Sequence, residues 1–306
     1  MRFAISIPQR FADGTFHPVR LRDYLTRAES LGFHSAWTQE AVLGPAPTLA
    51  PLELMAFAAA CTERLRLGCA VFVSPLHNPV HLAQSISTLD QLSRGRIEVG
   101  VATGGRGRMF SAFEVDPAHL VTRFTEGLQL MKACWTEPRI TFEGRFWQLD
   151  GTSVEPKPFQ KPYPPLWIGG NRPQAVRRAL RYGNGFFGAG SSTTAQFAQQ
   201  VHVLRAALAE AHQDPSTFQI AKRVYIVIDD DAIRARERVD AGLKQIYGTS
   251  DGLTAAAVYG PSSACIAGLR EVAEAGAELI QLHSLFDEDE QMERLVAEVL
   301  SAVQNN

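Results

Sequence analysis

The chain has few cysteines and no long apolar run. Its 306 residues include four cysteines, none at metal-ligand spacing to another: Cys61, Cys69, Cys134 and Cys265. Each lies in an apolar context, which indicates small core residues of a reducing compartment and not a disulfide framework. No window approaches the roughly 20 apolar residues that cross a bilayer, and the apolar start is too short for a signal sequence. We therefore expect a cytoplasmic protein without a membrane partner.

The sequence also lacks an excess of charge of either sign. Its formal net charge is -2, and 20% of its residues are charged. This balance provides no broad electrostatic surface for nucleic acid. The signatures HExxH, GxSxG, CxxC and the Walker loop are missing, and no metal-ligand cluster is visible. We expect neither nucleic acid nor a metal ion as a ligand.

What the chain does have is a regular alternation of strand-like and helix-like segments. The apolar run Phe3–Ile7 ends at Pro8, and helical spacing of apolar residues follows it. Eight strand candidates can be counted in this way, nearly all followed by helices. Eight βα units predict a closed (β/α)8 TIM barrel. The alternative, an open doubly wound sheet, is disfavoured because the first strand–helix turn has no GxGxxG motif.

The alternation breaks between residues 137 and 164. The segment "RITFEGRFWQLDG" alternates around Glu143 and Gly144, which predicts a β-hairpin, and a proline-rich stretch follows. We therefore expect one barrel domain over residues 1–306, with residues 137–164 as an insertion after strand four.

Two glycine-rich loops follow predicted strands, at the barrel end where active sites lie. "GGNRP" (Gly169–Pro173) stands between strand five and its helix, and "ATGGRGR" (Ala102–Arg108) follows strand four. A helix N-terminus offers free N–H groups, glycines allow close approach, and Arg172 suits phosphate oxygens. The simpler reading is a tight turn with a solvated Arg172. Two such loops together favour an elongated ligand that carries a phosphate.

Several titratable side chains also follow strands. Glu40, after strand two, is suited to act as an acid, a base or a hydrogen-bond acceptor, or to form a strand-end salt bridge. His77 and His283 are candidate general acids, although isolated histidines are more often packed or solvated. Lys222, on strand seven, is the lysine placed for a Schiff base if the barrel is an aldolase. Our catalytic candidates are Glu40 and His283.

Taken together, the motifs resemble the luciferase-like flavin- or deazaflavin-dependent oxidoreductases. The matching stretches lie between about residues 25 and 188, and they include "AESLGFHSAWTQE", "RFTEGLQLMKACW" and "PLWIGGNRPQAVRRALRYGNGFF" in the family's order. The resemblance implies a (β/α)8 barrel of the bacterial-luciferase type with an insertion after strand four, and usually a homodimer.

The resemblance also implies roles for individual residues. An acidic residue near the cofactor ring corresponds to Glu40, and the strand-three bulge, where relatives often have a non-prolyl cis peptide, corresponds to Ala70 and Val71. Thr103 matches a strand-four position that contacts the cofactor. The phosphate loop corresponds to Gly169, Gly170, Asn171 and Arg172.

The chain departs from the family pattern at three places. Many relatives have a histidine directly after the acid of strand two, where this chain has Ala41. The phosphate loop often has a serine where this chain has Arg172. The common "GDGW" is replaced by "GNGFF" at residues 183–187. These differences leave the fold unaffected, but they prevent the transfer of a substrate from any relative.

The choice between F420 and FMN decides which reaction the resemblance implies. "WTQEAVLG" is more similar to the deazaflavin branch, so we favour coenzyme F420 and hydride transfer to or from a small organic substrate. The first alternative is an FMN-dependent monooxygenase that inserts one oxygen atom. The others are a flavin-binding barrel without turnover and a barrel hydrolase or aldolase.

Overall fold

Eight parallel strands close into a barrel in the computed structural model, which describes residues 1–11, 14–44, 47–105 and 109–304. The strands in chain order are β1 (Arg2–Ser6), β2 (Ser35–Thr38), β3 (Arg66–Val73), β4 (Ile97–Ala102), β5 (Ile140–Glu143), β6 (Gln148–Thr152), β7 (Leu166–Gly170), β8 (Gly185–Gly188), β9 (Gln219–Ile228), β10 (Val258–Gly260) and β11 (Leu279–Ser284). The barrel order is β1-β2-β3-β4-β7-β8-β9-β11, and β11 pairs with β1 to close it. Short β10 pairs with β9. The predicted (β/α)8 barrel is confirmed.

Helices follow the barrel strands. They are α1 (Pro18–Ser30), α2 (Pro51–Cys61), α3 (Pro79–Leu92), α4 (Met109–Ala112), α5 (Leu120–Thr136), α6 (Pro173–Tyr182), α7 (Thr194–Glu210), α8 (Ala232–Tyr247), α9 (Ser262–Glu274), α10 (Glu288–Arg294) and α11 (Ser301–Gln304), the last two joined by a π-helical segment (Leu295–Leu300). Four of these helices begin with proline, whose fixed φ suits the first turn and whose missing N–H is not needed there. None of the described helices combines the length and hydrophobicity needed to cross a membrane.

The predicted hairpin is formed by β5 and β6, which pair antiparallel after α5. A carboxylate on α5 holds its turn, because Glu126 accepts hydrogen bonds from the backbone N–H groups of Arg145, Phe146 and Trp147 at 3.0, 2.8 and 3.1 Å. The guanidinium of Arg123, also on α5, lies 4.7 Å from the ring centre of Trp147. The hairpin is therefore attached to the helix that precedes it.

Aromatic side chains fill the middle of the barrel. The ring of Trp37 lies 4.9 Å from Phe187 and 6.1 Å from Trp167. Two strand glycines make room for the indoles: a Cβ at Gly68 would lie 2.5 Å from Trp37, and one at Gly185 would lie 2.6 Å from Trp167. On the sixth barrel strand, β8, glycine is thus required at position 185 because the indole of Trp167 packs against it. This aromatic layer closes the barrel below its C-terminal mouth.

Candidate functional site

Polar side chains stand above the apolar layer on two neighbouring strands. The register pairs Leu279 of β11 with Ala221 of β9, and two residues further along it pairs Gln281 with Arg223. The next such pair is His283 with Tyr225, whose rings lie 5.1 Å apart in an edge-on arrangement. Because alternate residues of a strand share a face, the interior changes from apolar to polar towards the mouth.

The imidazole of His283 contacts Gln39, which directly follows β2. Its Nδ1 lies 2.9 Å from the side-chain nitrogen of Gln39, and the backbone of Gln39 is bound in turn by the side chain of Gln9. Burial, together with the smaller effect of the positive charges of Arg223 and Arg10, lowers the pKa of His283 to about 3. This shift favours the neutral imidazole at pH 7, and the catalytic role of His283 stays a prediction.

Glu40 makes different contacts from its neighbour Gln39. One carboxylate oxygen lies 2.6 Å from Nε2 of His77, and the other accepts a hydrogen bond from the backbone N–H of Val73 at 2.6 Å. The Glu40 side chain is only 3% exposed. It anchors the C-terminal end of β3, and the structure does not join it to His283. Its catalytic and cofactor-binding roles stay predictions.

The bulge on β3 lies next to the ends of β4 and β7. The register between β3 and β4 shifts between Cys69 and Phe72, and the Ala70–Val71 peptide bond is cis. A Cβ at Gly169 would lie 2.8 Å from Cγ1 of Val71 and 3.6 Å from Ala102. Three of the loops expected to contact a cofactor thus meet on one side of the mouth.

The glycines of the predicted phosphate loop have an internal packing role. A Cβ at Gly170 would lie 2.5 Å from Cβ of Ala175, so the close start of α6 against β7 requires glycine there. From the sequence, the glycine was explained by ligand approach or by a tight turn. The contact with Ala175 is a further reason, which the sequence did not indicate. Asn171 and Arg172 are exposed, and Arg172 is the N-cap residue of α6 without a side-chain capping bond.

The structure describes only part of the glycine-rich loop that follows β4. Thr103 is half-buried, and its hydroxyl contacts the carbonyl of Gly104 at 3.4 Å. Arg106 and Arg108, the arginines of the second glycine-rich loop, lie outside the described residues.

Two cavities flank this rim. The larger, about 500 Å³, opens at the ends of β1, β2 and β11, and its polar lining includes Gln9, Gln39 and His283. The smaller, about 380 Å³, lies between the starts of α6 and α7 and is lined mainly by amides and hydroxyls: Asn171, Ser191, Ser192, Gln196, Gln199 and Gln200 among others. His283 and the phosphate-loop residues therefore belong to separate cavities.

The chain matches a known protein family over most of its length. The family model described as luciferase-like monooxygenase matches residues 1–293. The chain belongs to the luciferase-like family. The resemblance found in the sequence is thereby confirmed.

Individual luciferase-like proteins are similar to this chain over part or all of its length. An F420-dependent glucose-6-phosphate dehydrogenase of Kineococcus radiotolerans is 31% identical over 180 residues, which are 56% of this chain and 52% of the relative. A solved monooxygenase from Streptomyces bottropensis superposes with a TM-score of 0.85 at 21% identity, covering 98% of this chain and 99% of its own. An F420-dependent secondary alcohol dehydrogenase in complex with an F420–acetone adduct superposes with a TM-score of 0.84 at 20% identity, covering 99% of both chains. The chain spans about half the length of the curated relatives it matches.

Three residues of this luciferase-like site were missed as candidates. Arg223 donates to the carbonyl oxygen of Ala70 at 3.4 Å, and the hydroxyls of Tyr225 and Tyr247 are 2.7 Å apart. The signal on β9 was the alternation of Ala221, Arg223 and Tyr225 on one face. Polar residues on the inward face of a barrel strand indicate a site, and the sequence contained this pattern.

Lys222 has the opposite orientation on the same strand. Its ammonium donates to the carbonyl oxygens of Ala189 and Arg223 at 2.6 and 2.9 Å and lies 6.0 Å from the ring of Phe197 on α7. Burial lowers its pKa to about 7. Because Lys222 packs in the outer layer between strands and helices, it does not reach the mouth to form a Schiff base. The described residues contain no group of three His, Cys, Asp or Glu side chains placed to hold a metal ion.

Proposed function

We propose that the chain is an oxidoreductase that binds coenzyme F420 and transfers a hydride to or from a small organic substrate. The observation that carries this proposal is a half-buried cation at the mouth. Arg223 contacts Ala70 on the β3 bulge, and among the described residues no carboxylate forms an ion pair with it. Its Nε is buried without a hydrogen-bond partner in that part of the chain. Such a group favours an electron-rich ligand beside it.

A deazaflavin ring fits this position. When bound, the coenzyme accepts or donates a hydride, and the carbonyl and nitrogen acceptors of its pyrimidine edge gain negative charge on reduction. The role of the protein is to place acceptors near the guanidinium of Arg223. The family resemblance locates the ring against Ala70 and Val71, on the same side of the mouth.

The start of α6 supplies a site for the coenzyme's phosphate. A helix N-terminus carries a partial positive charge and free N–H groups, and Arg172 adds a full charge there. In the adjoining cavity, Gln200 is buried, its nitrogen lies 3.3 Å from the carbonyl oxygen of Asn171, and its Oε1 is without a partner among the described residues. This free acceptor suits a hydrogen-bond donor on a polar extension of a ligand.

The choice of F420 over FMN is supported by the relatives. Two F420-dependent glucose-6-phosphate dehydrogenases are 31–32% identical over more than half of this chain. A solved type II Baeyer–Villiger monooxygenase in complex with FMN, 18% identical to this chain, supports FMN as the alternative.

Parallel titrations test the proposal. Purified protein is titrated with oxidised F420 and separately with FMN, and binding is followed by absorbance and fluorescence. We expect saturable binding of F420 at least tenfold tighter than that of FMN. Preference for FMN would support the monooxygenase alternative, and binding of neither would overturn the cofactor proposal.

We further propose a homodimer, as the family resemblance implies. Size-exclusion chromatography with light scattering should give twice the chain mass of 33.5 kDa. A mass equal to that of one chain would contradict it.

A further inference from the structure

The larger cavity presents one neutral hydrogen-bonding side chain at its inner end. His283 lines this cavity and is half-buried, with its ring edge against Tyr225. Among the described residues, the imidazole forms one hydrogen bond, between its Nδ1 and the side chain of Gln39. The second ring nitrogen, Nε2, is left for a ligand.

The contact with Gln39 determines which nitrogen carries the proton. The group facing Nδ1 at 2.9 Å is the amide nitrogen Nε2 of Gln39, which can only donate. Nδ1 must then accept with its lone pair, so in the neutral imidazole the hydrogen is on Nε2. His283 therefore offers an N–H donor to the cavity and no lone pair.

The backbone of Gln39 is held by a buried side chain in the loop that follows β1. Gln9 donates to the carbonyl oxygens of Gln39 and Leu49 at 2.7 and 2.8 Å, and it accepts from the backbone N–H of Gln39 at 2.7 Å. Gln9 is 8% exposed. The three bonds use both ends of its amide, so the backbone that carries the Gln39 side chain is fixed against β1.

The surroundings of His283 disfavour its protonation. Arg223 lies on the adjacent strand at the preceding inward position, and both Arg223 and Arg10 contribute positive potential at the ring. Tyr225, the directly paired residue, contributes a neutral hydroxyl that is bound to Tyr247. A neutral N–H donor beside positive charges disfavours a cationic ligand. It polarises an acceptor oxygen without transferring its proton.

Part of the cavity lining is apolar and comes from Leu21, Ile246 and Leu285. Charged residues of both signs also line it, among them Arg20 and Asp289, which form an ion pair with each other. A ligand with an apolar frame and one acceptor oxygen matches this lining.

We propose that His283 donates a hydrogen bond from its Nε2–H to the carbonyl or hydroxyl oxygen of an organic substrate, that Gln39 is the positioning residue that holds this tautomer, and that Gln9 holds the backbone of Gln39. The place of that substrate in a redox reaction rests on the proposed function. The donor itself is tested on the chain without a cofactor, so failure of one proposal is distinguishable from failure of the other.

The first experiment is nitrogen-15 NMR of histidine-labelled protein, with the His283 signals assigned by their loss in His283→Gln. We expect a neutral ring protonated at Nε2 from pH 7 down to pH 5. A ring protonated at Nδ1, or an imidazolium at pH 6, would overturn the proposal. In Gln39→Glu a carboxylate accepts from Nδ1–H, so the Nε2–H signature should be lost. Gln213→Glu, which adds the same charge at an exposed position, should leave it unchanged.

The second experiment measures binding of 2-heptanone and of hexylammonium, a cation of similar size, through the His283 signals. We expect 2-heptanone to shift the Nε2 resonance saturably and hexylammonium to bind at least tenfold more weakly, because the positive charges of Arg223 and Arg10 repel it and the Nε2–H has no lone pair to offer. His283→Leu should weaken 2-heptanone binding at least tenfold, and His283→Gln, which keeps a donor, should recover most of it. His202→Gln, on the exposed face of α7, is the control. Tighter binding of hexylammonium, or no binding of 2-heptanone at millimolar concentration, would overturn the assignment.

Discussion

The carboxylate of Glu40 joins His77 to the end of β3, with 2.6 Å from one oxygen to Nε2 of His77 and 2.6 Å from the other to the backbone nitrogen of Val73. Both oxygens are used within the protein, and the side chain is nearly inaccessible to solvent. The residue that the sequence indicates as a catalytic acid is thus also a structural support of the bulge that lines the mouth.

This arrangement predicts a loss of stability when the carboxylate is removed. Glu40→Ala should lower the free energy of unfolding by about 1–3 kcal/mol, because the buried N–H of Val73 loses its acceptor. Glu40→Gln keeps one acceptor oxygen and should lose about half as much. Urea denaturation measures both, with Glu53→Ala on the exposed face of α2 as the control. An unchanged unfolding midpoint in Glu40→Ala would show that the Val73 contact contributes nothing.

Gly170→Ala should be destabilising for a different reason. The new methyl group would lie 2.5 Å from Cβ of Ala175, so α6 has to move away from β7. Overpacking of this kind typically lowers the unfolding free energy by about 1–3 kcal/mol. Gly44→Ala is the matched control, because its Cβ meets no atom within 4 Å. Thermal unfolding of the two variants provides the comparison, and equal melting temperatures would contradict the packing argument.

Charge reversal at Arg172 tests the phosphate site. Arg172→Glu should weaken F420 binding tenfold or more, which corresponds to about 1.4 kcal/mol. Arg177→Glu makes the same change on an exposed position of α6, further from the helix start, and should have little effect. Fluorescence titration at fixed ionic strength measures both affinities. If the two variants bind F420 as tightly as the unchanged chain, Arg172 does not hold the phosphate.

The depressed pKa of His283 predicts a pH dependence of stability. The ordinary histidine pKa is 6.5, and in the folded chain burial lowers it to about 3. Between these values the unfolded state binds the proton more strongly, so the free energy of unfolding falls as the pH decreases from 6.5 towards 3. His283→Gln removes this contribution and should flatten the curve in that window. The measurement is urea denaturation at several pH values, and His202→Gln serves as the comparison. Parallel curves for the unchanged chain and His283→Gln would contradict the prediction.

Much of the fold could be predicted from the sequence because it depends on local patterns. Runs such as Phe3–Ile7, followed by helical spacing and a glycine or proline, locate strands and helices within a few residues. The hairpin at Glu143 and Gly144 was visible as alternation. Eight such units then favour a closed barrel on general grounds of topology.

The site was predictable only in part. Position after a strand was enough to select Glu40, His283 and the Gly169–Arg172 loop as neighbours of the mouth. It could not show which of them contact each other, because those contacts join residues far apart in the chain, such as Gln39 with His283. Nor could it show that Gly170 is required by Ala175, since that distance depends on how closely a helix packs on a strand.

By itself the sequence determined the order of strands and helices and the family, and it predicted the end of the barrel for the site, since each depends on residue type and spacing along the chain. Only the tertiary structure decided that Glu40 is bound by His77, that His283 contacts Gln39 and has its pKa lowered by burial and nearby cations, and that Lys222 points away from the mouth. Orientation, hydrogen-bond partners and local potential arise when distant segments are packed together. For that reason the residues could be nominated from the sequence, whereas their chemical states required the fold.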